Sequence, residues 1–188
     1  IDGKSYTVLI NNGKGSLILS NLVANSYPIT AKYDGNYKYT EGENSTTLTV
    51  AKMSSAVNVT ANNIKFGEEA VINIAVPNVS LGVATVVVNG KSYNVAIVDE
   101  KGVLNIYNLA AGDYNVDVTY LGDNKYLSST NAANFTVSKV SDYNMTVDIA
   151  DIVKGENATI TVTIPEDGTG SVIVTINGTD YNGTVVNG

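Results

Sequence analysis

The chain contains no cysteine, histidine, tryptophan, arginine or glutamine. Without cysteine there is no disulfide and no thiolate zinc site. Without histidine, the commonest metal ligand and the usual base for activating a nucleophile are both missing. Its 11 cations are all lysines against 18 acidic residues, for a net charge of −7 and a pI near 4.4. That balance argues against nucleic acid and against anionic membrane surfaces as partners. No apolar run approaches the ~18 residues that a membrane-spanning helix needs, so no membrane insertion is expected of this segment. No segment carries the i, i+3, i+4, i+7 apolar stripe of an amphipathic helix. The lack of cysteine leaves the compartment open, because many secreted repeats do without it.

What the chain does have is internal repetition at a spacing of 87 to 88 residues. Residues 1–52 align without a gap on 88–139, IDGKSYTVLINNGKGSLILSNL over VNGKSYNVAIVDEKGVLNIYNL and SYPITAKYDGNYKY over DYNVDVTYLGDNKY, with 21 of the 52 positions identical. Residues 145–188 align likewise on 57–100, matching Gly67-Glu68 with Gly155-Glu156, Pro77 with Pro165, and Asn89-Gly90 with Asn177-Gly178. A fixed period indicates a tandem array, in which function belongs to the array rather than to one active site. Three pieces follow: the back half of a unit (1–52), expected to hold its last four strands, a complete unit (53–139) and the front half of another (140–188), expected to hold the first three or four.

Within the complete unit, apolar and polar residues alternate with period two, as in Val71-Ile72-Asn73-Ile74-Ala75-Val76 and Asn115-Val116-Asp117-Val118-Thr119-Tyr120. This is the pattern of strands with one buried face. Seven strands are expected, near 57–62, 68–76, 83–89, 92–98, 102–108, 113–120 and 132–138. The Asn89-Gly90 pair predicts a tight hairpin, since both central residues of a type I′ turn need positive φ. Seven short antiparallel strands in under 90 residues predict an all-β fold of tandem immunoglobulin-like antiparallel β-sandwich repeats. Leu109, Gly112 and Tyr114 have the spacing of a tyrosine corner, in which the hydroxyl bonds back to the backbone. Tyr27 stands at the same place in 1–52, where Asn25 replaces the glycine. Pro28 stands where Asn115 does, just inside a strand, and a bulge or late strand start is expected there.

The runs VNGKSYNV, GVLNIYNLAAGDYNVDVTYLGDNKYLSST and NFTVSK resemble the Ig-like repeats, of the bacterial Ig-like group 3 type, in adhesin-like surface proteins of methanogenic archaea. The resemblance covers the whole chain in three phases of the same repeat. It implies an extracellular, cell-surface, wall-associated protein of many domains, and it supplies no catalytic residues and no cofactor.

Several constellations bear on function. Asn-x-Ser/Thr sequons stand at Asn44, Asn58, Asn78, Asn134, Asn144, Asn157, Asn177 and Asn182. All except Asn177, which sits in a tight turn, are candidates for N-glycosylation. The alternative is that Asn-x-Thr arises wherever outward positions alternate in Asn- and Thr-rich strands. Lys14 with Lys101, Lys38 with Lys125, Lys52 with Lys139, Asn21 with Asn108 and Asn44 with Asn131 recur in register, as partners of an intramolecular isopeptide bond would. None lies in an apolar run beside a glutamate, so solvated lysines that discourage edge pairing are the favoured reading. Asp34-Gly35-Asn36 and Gly122-Asp123-Asn124, with Asp99-Glu100, offer oxygens for Ca²⁺, but ordinary turn chemistry accounts for them. Glu68-Glu69, Glu41 with Glu43, and Glu166-Asp167 are the carboxylate pairs. Neighbours in a strand point to opposite faces, so no acid–base pair is expected and the segment reads as non-catalytic. Of the 12 tyrosines, Tyr37, Tyr107 and Tyr143 do not recur in register and are the better candidates for an exposed contact.

The leading expectation is therefore a repetitive stalk or spacer of an adhesin-like protein, with neighbouring repeats in the same or another chain as its partners. Two alternatives stand beside it. One is an extracellular filament assembled by complementation of half domains. The other is a carbohydrate-binding module for cell-wall or host glycans.

Overall fold

The computed structural model describes residue 1 and residues 3–187. The described backbone is all-β, with no helix among its residues and 52% of it strand. It divides into two compact units, Ile1–Ser138 and Lys139–Gly188. The first carries β1 (Asn25–Tyr33), β2 (Gly42–Val50), β3 (Asn58–Ala61), β4 (Ile64–Lys65), β5 (Ala70–Ala75), β6 (Leu81–Val88), β7 (Lys91–Val98), β8 (Lys101–Ile106), β9 (Gly112–Tyr120) and β10 (Ser129–Ser138). The second carries β11 (Thr146–Ile149), β12 (Ile160–Thr163), β13 (Gly170–Ile176) and β14 (Thr179–Val185).

Strands β3 to β10 form one ladder in the order β3-β5-β8-β7-β6-β9-β10-β4. Its weak joint is β7–β8, a single residue pair, Val98 with Lys101, across a two-residue turn. The ladder thus separates into β3-β5-β8 and β7-β6-β9-β10-β4. Both groups contribute to one core, with Ile72 and Ile74 from the first meeting Val86, Ile97, Val118 and Phe135 from the second. This arrangement is consistent with a β-sandwich. The alternation explains it: β5 buries Ala70, Ile72 and Ile74 and exposes Val71 and Asn73. No polar or charged residue is buried among the described residues, and within the core it is the Tyr120 hydroxyl that is buried without a hydrogen-bond partner, a cost set against the apolar packing. Burying each large aliphatic side chain here stabilises the fold by roughly 1.5–3 kcal/mol.

The turns carry their own chemistry. Asn89 and Gly90, between β6 and β7, have φ of 44° and 85°, the left-handed pair that this hairpin needs. Asp99 and Glu100, between β7 and β8, have φ of 47° and 70° without any glycine. The Glu100 Oε1 accepts the Asn78 backbone N–H at 2.7 Å, a compensation for a backbone region that glutamate disfavours. At the start of the complete unit, Met53 is tied down on both sides. Its N–H donates to Lys125 O, and its carbonyl accepts from Leu127 N, each at 2.9 Å.

Two expectations need correction. Residues 1–52 were expected to hold four strands, but only β1 and β2 form, paired antiparallel from Asn25 with Val50 to Tyr33 with Gly42. Before them there is one isolated bridge, Asn11 with Lys14. The physical reason is visible in the complete unit. There the aligned strands β7 and β8 are held by β6 and β5, their neighbours in the ladder. Residues 4–20 have no such strands beside them, and an isolated hairpin is marginal.

Pro28 produces neither a bulge nor a late start: it pairs with Thr47 in an unbroken register. At the aligned position, the Asn115 N–H donates to the Asn89 side-chain oxygen at 3.0 Å rather than to a neighbouring strand. A proline at this place therefore gives up no ladder bond, and β1 has only β2 as a neighbour.

In the second unit, β11 pairs with β12 and β13 with β14, both antiparallel. Asn177 and Gly178 turn the second hairpin with φ of 48° and 80°.

Candidate interaction surfaces

The described residues hold no cluster of three or more acidic side chains placed to bind a metal ion. The chain has neither Cys nor His to add to such a cluster. The residues singled out above fall into three groups: turn and corner residues, carboxylates, and exposed aromatics with sequons.

The Tyr114 hydroxyl donates to Ala110 O at 3.0 Å, and the Tyr27 hydroxyl to Val23 O at 2.9 Å, each reaching four residues back. The Asn36 and Asp123 loops are also built alike. Asn36 Oδ1 accepts from Lys38 N and Tyr39 N at 2.8 and 2.9 Å. Asp123 Oδ1 accepts from Lys125 N and Tyr126 N at 2.7 and 2.6 Å. These contacts hold the Asp123 carboxyl below its ordinary value, the Tyr126 N–H foremost, with help from the Lys125 N–H and the Lys52 charge. Partial burial opposes them. One oxygen of Asp123 is thus committed to closing its own turn, leaving a poor cation ligand. Asp99 and Glu100, with Asn78 and Ser80, line a shallow open recess of about 320 Å³, in which Glu100 is already bound to Asn78 N.

The isopeptide candidates have ordinary occupations. Lys38 and Lys125 lie over the rings of Tyr39 and Tyr126, at 5.2 and 5.0 Å from the centroids. Asn21 and Asn108 both occupy left-handed backbone, at φ of 60° and 57°. Asn131 Nδ2 donates to Val57 O at 2.9 Å, joining β10 to the start of the unit.

The carboxylate pairs do not converge. Glu68 Oε2 accepts the Lys65 N–H at 2.8 Å, and Glu156 Oε2 accepts the Val153 N–H at 3.1 Å, the same turn 88 residues on. Glu43 pairs with Lys32 at 3.0 Å with both side chains more than half exposed, worth about 0.5 kcal/mol at most. Glu69 faces Tyr107 and raises its hydroxyl above the ordinary tyrosine range by favouring the protonated form as a donor. The geometry between them is slack, because Glu69 Oε1 is buried without a hydrogen-bond partner.

Tyr37, Tyr107 and Tyr143 are all exposed, but no described recess gathers them. The asparagines of all eight sequons are exposed as well. Three are restrained by their surroundings. Asn78 sits at φ 66° with its N–H held by Glu100, and Asn177 sits inside a two-residue hairpin. In the Asn134 sequon, the Thr136 hydroxyl is engaged with Asp113 Oδ1 at 2.7 Å. One structural residue carries a second role that its turn position does not announce. Asn89 Nδ2 donates to Asp113 O at 3.2 Å while its Oδ1 accepts from Asn115 N, strapping the β6–β7 turn to the start of β9. Its place in an Asn-Gly turn gave only half of that role.

Comparison with protein-family models finds no match, and no curated protein matches the chain.

Proposed function

We propose that this chain is a non-catalytic segment of an extracellular cell-surface protein, a repetitive stalk of Ig-like domains that spaces a distal part away from the surface. The observation that carries the reading is the 87- to 88-residue recurrence of residues with purely architectural contacts. Tyr27 with Tyr114, Asn36 with Asp123, and Glu68 with Glu156 each satisfy backbone groups in their own turn. An array that repeats its turns and corners, and repeats no convergent set of chemical groups, is suited to setting length and stiffness. In this reading β3-β5-β8 and β7-β6-β9-β10 are the two sheets of an Ig-like sandwich, with β4 running parallel to β10 at its edge. Short junctions such as Ala51-Lys52-Met53 restrict bending between successive units.

The exposed sequons, with Asn44, Asn58, Asn144, Asn157 and Asn182 the least restrained, belong to the same reading as sites of N-linked sugar on the stalk exterior. Small-angle scattering on chains of increasing repeat number tests the stalk. The maximum dimension should grow by a constant step per unit, whereas collapse to a compact particle would overturn it. Mass spectrometry of the protein from its native source tests the sugars.

A further inference from the structure

The two sides of the complete unit are finished differently. On one side the strands are sewn together. There β4 pairs in parallel with β10, Thr136 N donates to Asn63 Oδ1 at 2.9 Å, and Asn131 Nδ2 donates to Val57 O at 2.9 Å. On the other side, β8 meets β7 at the single pair Val98–Lys101 and then runs on as the rim of β3-β5-β8. The Glu100 carbonyl accepts the Val76 N–H at 2.8 Å, which sets the phase of β8. Backbone groups of Gly102, Leu104 and Ile106 therefore face β5, and those of Val103 and Asn105 face outward. Among the described residues no strand lies beside them there. Residues 102–109 contain no charge and no proline, so the devices that usually blunt a bare rim are missing beyond Lys101.

We infer that this rim is an interface with a second copy of the chain, β8 pairing antiparallel with β8 of that copy about a two-fold axis through Asn105. The inference uses the complete unit alone and does not depend on the stalk reading. Three observations choose the occupant. First, the rim is self-complementary. The axis sets Asn105 opposite Asn105, amide to amide, and Val103 opposite Tyr107 of the second copy, twice over. Val103 and Tyr107 are 55% and 62% exposed on the outer face, and an aliphatic–aromatic pair directly across two strands is a stabilising one. Second, charge is complementary. The outer face of β5 and β8 carries Lys101 at one end and Glu69 at the other, and neither is in an ion pair among the described residues. The antiparallel arrangement brings the Lys101 end of one copy beside the Glu69 end of the other. Third, the repeat does not require this face. The inward Leu104 and Ile106 align on Leu17 and Leu19, whereas Val103, Asn105 and Tyr107 align on Ser16, Ile18 and Ser20. The other bare rim, β7, offers only Ser92, Asn94 and Ala96 on its outer face between Lys91 and Ile97. Because both copies use the same rim, the contact closes as a two-fold dimer.

The chain has no cysteine, so single thiols report the contact directly. Asn105→Cys stands on the axis, in a pair whose Cα atoms lie about 5.5 Å apart, inside the range that a disulfide spans. Asn73→Cys is exposed on the same outer face, one strand inward, and serves as the control. In a glutathione redox buffer, the 188-residue Asn105→Cys chain should form its disulfide-linked dimer about tenfold faster than the Asn73→Cys chain, because pairing raises the effective concentration of one thiol at the other. Proline at Val103 removes a rim donor and no bond to β5, so adding Val103→Pro should bring Asn105→Cys down to the control rate. Far-UV circular dichroism and thermal unfolding show whether that chain is folded. If it is not, Val103→Lys, a change at an exposed position, blocks the rim instead and should have the same effect. Equal rates for the two single thiols overturn the inference. So does a folded, rim-blocked chain that still cross-links at the Asn105→Cys rate.

Discussion

The Tyr114 hydroxyl donates to the carbonyl of Ala110 at 3.0 Å. The same ring stacks on Phe135 of β10, with centroids 5.2 Å apart and planes 13° from parallel. The bond fixes the loop that enters β9, and the stack fixes β9 against β10. Phenylalanine keeps the second and deletes the first. Tyr114→Phe should therefore cost about 1 kcal/mol, the net worth of one hydrogen bond. Tyr114→Ala should cost about 3 kcal/mol or more, because the aromatic packing goes too. Urea unfolding of both variants measures the difference. A Phe variant as stable as the parent would mean that the bond serves no architectural purpose.

Asn89 holds the β6–β7 turn through its backbone and the start of β9 through its side chain. Its φ is 44°, and its amide bonds both Asp113 O and Asn115 N. Alanine removes the tolerance of left-handed backbone and both bonds, for an expected loss of about 2 kcal/mol. Glycine restores the backbone and none of the bonds, so Asn89→Gly should recover roughly half of that loss. Equal melting temperatures for the two variants would show that the strap contributes nothing.

Much of the complete unit was legible because each of its strands alternates and each of its hairpins carries a turn signature. The seven strands expected between 57 and 138 form within a few residues of their expected bounds. The two-residue β4 was not legible, since Ile64 and Lys65 are strand only by virtue of a parallel pairing with Val137 and Ser138, more than 70 residues away. The strands expected over residues 4–20 failed for a related reason. Tyr6, Val8 and Ile10 carry the same alternation as Tyr93, Val95 and Ile97, but alternation describes which face a strand would bury, and a neighbouring strand must be present to bury it against. At Pro28 the expected bulge depends on where the backbone donor at that position goes, which the sequence does not show. The Asn115–Asn89 bond shows that it goes to a side chain. The candidate surfaces were the least legible part. Asp123 and Glu100 look like cation ligands as residue types, and only the geometry shows the Asp123 oxygen turned back onto its own loop and the Glu100 oxygen engaged by the Asn78 N–H.

The same residue at two aligned positions should carry very different weight. Ile97 is fully buried in the core cluster, whereas Ile10 is largely exposed. Ile97→Ala should destabilise the complete unit by about 3 kcal/mol through lost transfer energy and a cavity. Ile10→Ala should change it by less than about 0.5 kcal/mol. Both are read from denaturant midpoints of the chain. An Ile10→Ala loss comparable to that of Ile97→Ala would show that residues 1–24 are packed in solution.

Stability should fall at both ends of the pH scale, with a named residue behind each arm. The folded state lowers the Asp123 carboxyl below its ordinary 3.8, chiefly through the Tyr126 N–H. A depressed acid contributes stability that is complete above the unfolded value and is lost as pH falls through the folded one. Tyr120 is the opposite case. Burial, with the nearby Asp123 charge, raises its hydroxyl above 10.0, so its contribution is complete below that value and is lost as pH rises through the folded one. Asparagine at 123 keeps an oxygen to accept both backbone bonds, as Asn36 does in the aligned loop, but cannot titrate. Asp123→Asn should therefore flatten the fall in stability below pH 3.8 and leave the alkaline arm in place. Tyr120→Phe should do the reverse, and because the hydroxyl is buried without a hydrogen-bond partner, it should also leave stability at neutral pH unchanged or slightly raised. Melting temperatures of the three proteins from about pH 2 to about pH 11 separate the arms. An acid arm that Asp123→Asn leaves untouched would assign the loss to other carboxylates.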